Sequence, residues 1–356
     1  MNNVIALNVP HRRQRLSERT GALIDIFAGQ RRFGDDVFWL KENAELLNIL
    51  ECTGTKVDAF DLDVHAEFYA ELPQRLSFFP QYYRFLLSLG LDLEDLGFEG
   101  SQSAALCQWV AQEGLPEAEF SDLQRAEARR LLARRGVETQ AADPMLDDRL
   151  RAFLRRKATF ALPNKKAAYE LTHIVFYLSE YGRRDPMLDE DAITSLEYAG
   201  VLAYLDMNMD LLAEICIALR YAGRSPSAIW EDTVLRGLSD FAASTDPNVP
   251  VADDYHEYFV STWLAAICGD EAVSTAVTCE RTTFHRCDRG PGPLRIMSAA
   301  MFEMETMRSG DWQTMRPFLE DVVDEPGHGI LADAEASIPD FGAFFEGFAR
   351  ARCAAV

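Results

Sequence analysis

The chain has 356 residues, 48% hydrophobic and 26% charged, a globular balance that excludes a disordered polyelectrolyte. Acidic residues outnumber basic ones by 57 to 35, for a formal net charge of -22 at pH 7. Such a surface repels phosphate backbones and anionic headgroups, so neither nucleic acid nor a membrane surface is an expected partner.

The opening Met1–Val9 is mildly apolar, without the basic leader or the long core of a signal peptide. No apolar run approaches the ~20 residues that span a bilayer. The cysteines Cys52, Cys107, Cys216, Cys268, Cys279, Cys287 and Cys353 are scattered and form no C-x-x-C pair. Free thiols in a reducing compartment follow, and the expected location is cytoplasmic.

Helical periodicity dominates the chain. Apolar spacing predicts a helix over Leu16–Phe27, then one over Val37–Leu50 capped by Asp35 or Asp36 and stopped at Gly54. A short helix is expected over Asp63–Leu72. An aromatic one, carrying Phe78, Phe79, Tyr82, Tyr83 and Phe85, is expected over Ser77–Leu89 and reads as core. Leu91–Gln102 reads as a loop. Helices follow at Ser103–Gln112 and Ser121–Arg135.

Gly136–Pro144 lacks periodicity and is the candidate boundary. It divides the chain into an N-terminal helical region, 1–140, and a C-terminal helical region, 141–356, which carries the candidate site; one continuous domain is the alternative. Asp147–Lys157 is a basic helix. Further helices are predicted at Lys165–Tyr181, Asp189–Met207, Met209–Tyr221, Ser225–Ala242, Asp253–Cys268, Pro293–Met307 and Trp312–Val323. Short links between them predict an all-α fold of antiparallel helical hairpins, stacked or closed into an α/α toroid-like array. Strand signal is confined to Val273–Val277 and Thr282–Phe284. In the acidic tail, Gly327-His328-Gly329 reads as a break, and Phe341, Phe344, Phe345 and Phe348 are expected to dock a final helix.

Three segments carry residues suited to chemistry. Glu170 and His173 are three apart and share a helix face that Tyr177 continues. Asp206, Asp210 and Glu214 recur every four residues as an acidic ridge, which a hard divalent ion would neutralise. Asp253 and Asp254 precede the helix that begins near Tyr255 and are positioned to cap it. His256 lies in its first turn, where the helix dipole disfavours a charged ring. A neutral imidazole can ligate a metal or act as a base. The cluster Cys279, His285 and Cys287 offers zinc-compatible atoms at a spacing that matches no common structural module. There is no glycine-rich phosphate loop and no G-x-S-x-G elbow. The basic patches Arg12-Arg13-Gln14-Arg15, Arg129-Arg130 with Arg134-Arg135, and Arg155-Arg156-Lys157 are not interleaved with aromatics as a single-strand binder would require.

The runs Glu170-Leu171-Thr172-His173 with Phe176-Tyr177, Asp210-Leu211-Leu212 with Glu214, and Tyr255-His256 resemble a group of poorly characterised bacterial helical proteins. The resemblance covers mainly residues 165 to 270. It implies that the three segments form one site, and it carries no established activity.

The leading expectation is a metal-assisted enzyme with a helical pocket. His173, His256, Asp210 and Glu214 would hold a divalent ion (zinc, iron or magnesium), while Tyr177 and Glu170 serve as catalytic groups on a small-molecule or peptide substrate. One alternative is a non-catalytic helical interaction module, recognised by a large exposed apolar patch. Another is magnesium-dependent prenyl or terpenoid diphosphate chemistry with Arg220, Arg224, Arg281 and Arg289 as phosphate partners, although the usual aspartate-rich motif pair is not cleanly present.

Overall fold

The structure is a computed structural model in which residues 15–34, 36–141, 143–270 and 277–351 are described. Arg12, Arg13 and Gln14 of the first basic patch, Asp35, Cys353 and all but Val277 of the first strand signal lie outside those residues, as does the Met1–Val9 opening. The fold is all-α, built from many helices with extensive helix–helix packing. Among the described residues, the β structure is one antiparallel pair, Ala242–Ser244 against Thr283–His285, with Ala243 opposite Phe284. No helix among them is long and apolar enough to cross a membrane.

Two compact units form. The first runs to Glu119 and takes in Glu127–Ala141 and Leu238–Cys287; the second holds Phe120–Ala126, Ala142–Gly237 and the residues from Asp288.

In the first unit the Val37–Cys52 helix packs along Tyr83–Leu96. Asp36 starts the former as the spacing predicts, its carboxylate accepting from the Phe38 amide at 2.8 Å. The Tyr83–Leu96 helix runs through part of the expected Leu91–Gln102 loop, because Leu91 and Leu93 bury completely and extend its apolar face. It ends at Gly97, whose φ of 106° supplies the left-handed turn.

The aromatic segment differs from expectation. Pro80 cannot continue the Ala66–Phe78 helix, so a short 3₁₀ turn, Pro80–Tyr82, intervenes. Phe78 and Phe79 are left on the surface, edge to face at 4.7 Å, while Tyr83 is buried.

The centre of this unit is aromatic. Phe27 packs on Phe259 at 4.7 Å and Phe284 stacks on Tyr258 at 4.5 Å, joining the π-helical turn Ile26–Gln30 that follows the Leu16–Asp25 helix, the Tyr255–Ile267 helix and the second strand. The expected cap of that helix is absent. Asp253 and Asp254 instead accept from the Phe284 amide at 2.7 Å and the Arg286 amide at 3.1 Å. The basic patch Arg134-Arg135 folds onto Asp92, Glu94 and Asp95 at 2.6 to 2.9 Å.

Among the described residues of the second unit, five helices are capped by the side chain of an Asn or Asp. Asn164, Asp189, Asp311, Asp324 and Asp340 each accept from an amide of the first turn. Asp324, with Pro326 in the first turn, starts a Glu325–Ala336 helix that passes through the expected Gly327-His328-Gly329 break. The final helix, Phe341–Ala349, buries Phe341, Phe344, Phe345 and Phe348 as expected, with Trp312 5.0 Å from both Phe341 and Phe345.

Three helices set the geometry of the candidate site: Lys165–Leu178, Glu190–Leu205 and Met209–Tyr221. The third is buried nearly all round and packs against both others. Gly200, inside the second, faces the Trp230 ring, where a Cβ would come within 2.4 Å of the indole. A side chain there would have to displace a tryptophan that is itself buried.

Candidate functional site

The polar groups of the first helix meet those of the third in register, except that Asp206 of the expected ridge stands outside the third helix, at the C-terminal end of the second. Lys165 Nζ lies 2.7 Å from Asp206. One turn on, Tyr169 donates its hydroxyl to Asp210 at 2.7 Å. Another turn on, Thr172 donates to Glu214 at 2.6 Å. Both sequences ascend together along this ladder, so the two helices run parallel, and Glu190–Leu205, which connects them in the chain, packs on the other side of the third. The ridge spacing of four residues is thus matched by partners at residues 165, 169 and 172, one helical turn apart.

Burial deepens along the ladder. The Lys165–Asp206 pair is solvated, whereas Glu214 is only 2% exposed. Burial, followed by the nearby Asp210 charge, pushes the Tyr169 phenol well above its ordinary value, so it stays protonated and donates.

His173 sits at the third rung. Its Nδ1 is 2.7 Å from the Tyr169 carbonyl and 3.8 Å from Glu214 Oε2. A backbone carbonyl only accepts, so Nδ1 carries the proton. In the neutral ring Nε2 then holds a lone pair, and the side chain is 37% exposed, enough for solvent to reach it. The rings of Phe176 and Tyr177 stand 5.7 and 6.2 Å away. Glu170 is half-buried and takes no part in these hydrogen bonds.

Five of the six candidates, Glu170, His173, Tyr177, Asp210 and Glu214, therefore belong to the second unit, and His256 belongs to the first. There His256 Nδ1 lies 3.4 Å from Glu45 Oε2. Burial pushes the Glu45 carboxyl up, but the His256 contact, aided by Lys41 at 3.6 Å, outweighs it and holds the group below its ordinary value. Of the cysteine–histidine cluster, His285 pairs with the Thr283 hydroxyl at 2.9 Å and Cys287 donates to the Asp240 carbonyl at 3.2 Å. Among the described residues, no three His, Cys, Asp or Glu side chains are placed to share a metal ion.

Three of the four arginines considered for phosphate have protein partners. Arg220 pairs with Glu231, Arg224 with Glu190, and Arg281 donates to the carbonyls of Asp246, Pro247 and Val249.

Sequence reasoning missed two participants. Tyr169 and Thr172 hold the two acidic side chains, and the signal was available: each lies on the Lys165–Leu178 helix, about one turn from the next rung of the ladder.

No curated protein and no solved structure matches the chain. A family model, described as a domain of unknown function (DUF6902), matches residues 1–351. That match takes in both units and every residue of the ladder, and the chain belongs to this family.

Proposed function

We propose that the protein is an enzyme in which His173 transfers a proton to or from a small-molecule substrate. The observation that supports this most is the anchored imidazole, with Nδ1–H fixed on the Tyr169 carbonyl in a side chain 37% exposed, which leaves the lone pair of the neutral ring on Nε2. A general base needs a lone pair in a defined direction and a neighbour that stabilises the imidazolium once the proton arrives. The buried Glu214 carboxylate, 3.8 Å away and held by Thr172, fills the second role as a positioning and stabilising group. Tyr177 forms part of the wall beside the ring.

A divalent ion is the metal-assisted variant of the same reading, with Nε2 of His173 as its imidazole donor. It has less support, because Asp210 and Glu214 already accept from Tyr169 and Thr172. The free thiols among the described residues support a cytoplasmic location.

The test is a panel of ester, carbonyl and phosphoester substrates assayed with wild type, His173→Gln and Glu214→Gln, with metal analysis of the same preparations. An activity lowered at least ~100-fold by His173→Gln and less by Glu214→Gln is the expected result. Activity retained in His173→Gln would overturn the reading. A bound stoichiometric metal lost only in His173→Gln would select the metal-assisted variant.

A further inference from the structure

At the foot of the ladder a cavity of about 100 Å³ opens between the starts of the first and third helices. Its walls are apolar, contributed by Phe160, Ala168, Ala203, Leu211 and Leu294. Each of these is at least nine-tenths buried, while Pro163, Asn164 and Lys165 on its other side are exposed, so the space is a half-open recess in the second unit. Ala168 and Ala203 leave the room that larger side chains would fill. The far wall is built in by a close approach. A Cβ on Gly292 would fall 2.1 Å from the Leu205 carbonyl oxygen, so glycine lets that strand of chain lie directly on the helix end, just before Leu294.

Close-packed interiors keep few voids larger than a water molecule, and water is poorly held where the lining offers few polar partners. The mouth differs from the walls. Lys165 and Asp206 stand there as an ion pair, with Lys165 66% exposed and able to turn toward a ligand.

The geometry points to a binding site for a small amphiphilic molecule, whose apolar group of about four to six carbons fills this cavity while its polar end stays at the Lys165–Asp206 rim. The volume sets the size: engineered apolar cavities of about 150 Å³ hold a benzene ring, and here the open mouth supplies the remainder. Lys165 and His173 are eight residues apart on one helix, roughly 12 Å at 1.5 Å per residue. The site therefore stands or falls independently of the chemistry assigned to His173.

Benzene is the probe. In wild type it should raise the thermal midpoint in a saturable, concentration-dependent way, as any ligand of the folded state does. Ala203→Leu fills the cavity, and it should fold and bind benzene at least about tenfold more weakly. Should that variant fail to fold, NMR on the wild type decides, with nuclear Overhauser contacts expected from benzene to the Leu211 and Leu294 methyls. No saturable shift in wild type, an equal shift in folded Ala203→Leu, or benzene contacts only elsewhere would each overturn the proposal.

Discussion

Replacing Arg31 with methionine is expected to destabilise the first unit by about 3–5 kcal/mol, the usual cost of removing one partner from a buried charge network. The Arg31 side chain is fully buried, 3.0 Å from Glu42 and 2.8 Å from Asp253. It also donates to the Thr282 carbonyl and lies 4.7 Å from the Phe27 ring centre. Burial alone would lower its pKa, but Asp253 and Glu42 outweigh that and raise it, so the guanidinium stays charged. Without it, Asp253 keeps only the Phe284 amide among these partners, and Glu42 keeps Arg32 at 2.5 Å.

Arg31→Lys should recover little, since an ammonium cannot reproduce the fork that meets both Asp253 oxygens at 2.8 and 2.9 Å. Amide hydrogen exchange in the Val37–Cys52 helix is the measure, with protection falling by about two to four powers of ten. A loss below about 1 kcal/mol would show that the network is dispensable.

A second large effect concerns acid. His65 is fully buried, with Nε2 3.0 Å from Asn43 Oδ1. The Asn43 amide donates to the carbonyls of Phe27 and Trp39, both at 2.9 Å, so its oxygen must face the ring and Nε2–H must donate. A second proton on Nδ1 would put a cation in the interior, and burial pushes the His65 pKa down to about 4.

The folded state thus binds that proton more weakly than the unfolded chain, whose histidines titrate near 6.5. The stability contribution is complete above pH 6.5, and it is lost as pH falls from there to about 4, by about 3 kcal/mol in all. Urea midpoints across that range should fall more steeply for wild type than for His65→Gln. Parallel pH profiles would mean that His65 is not held neutral.

Much of the fold was legible because helices write their period into the sequence. Met209–Tyr221 and Ser103–Gln112 appear at the predicted residues. Failures came where tertiary packing decided. Asp253 looks like a helix cap in one dimension, but folding brings Arg31 to it from 222 residues away. Gly327 and Gly329 signal a break until Asp324 is seen to start a helix across them. In the candidate site, spacing revealed the acidic ridge but not its direction. Glu214 is buried because the third helix passes between two neighbours, whereas Asp206 ends the second helix and pairs with the exposed Lys165, a fact that no single helix records.

The measurement closest to the central claim is the ring tautomer of His173, read by nitrogen-15 NMR on histidine-labelled protein and assigned by loss of the signal in His173→Gln. A protonated Nδ1 and an unprotonated Nε2 are expected in the neutral ring, because the Tyr169 carbonyl at 2.7 Å can only accept. A neutral ring carrying its proton on Nε2 would contradict the role of His173 as a base, since Nε2 would then have no lone pair to take a proton.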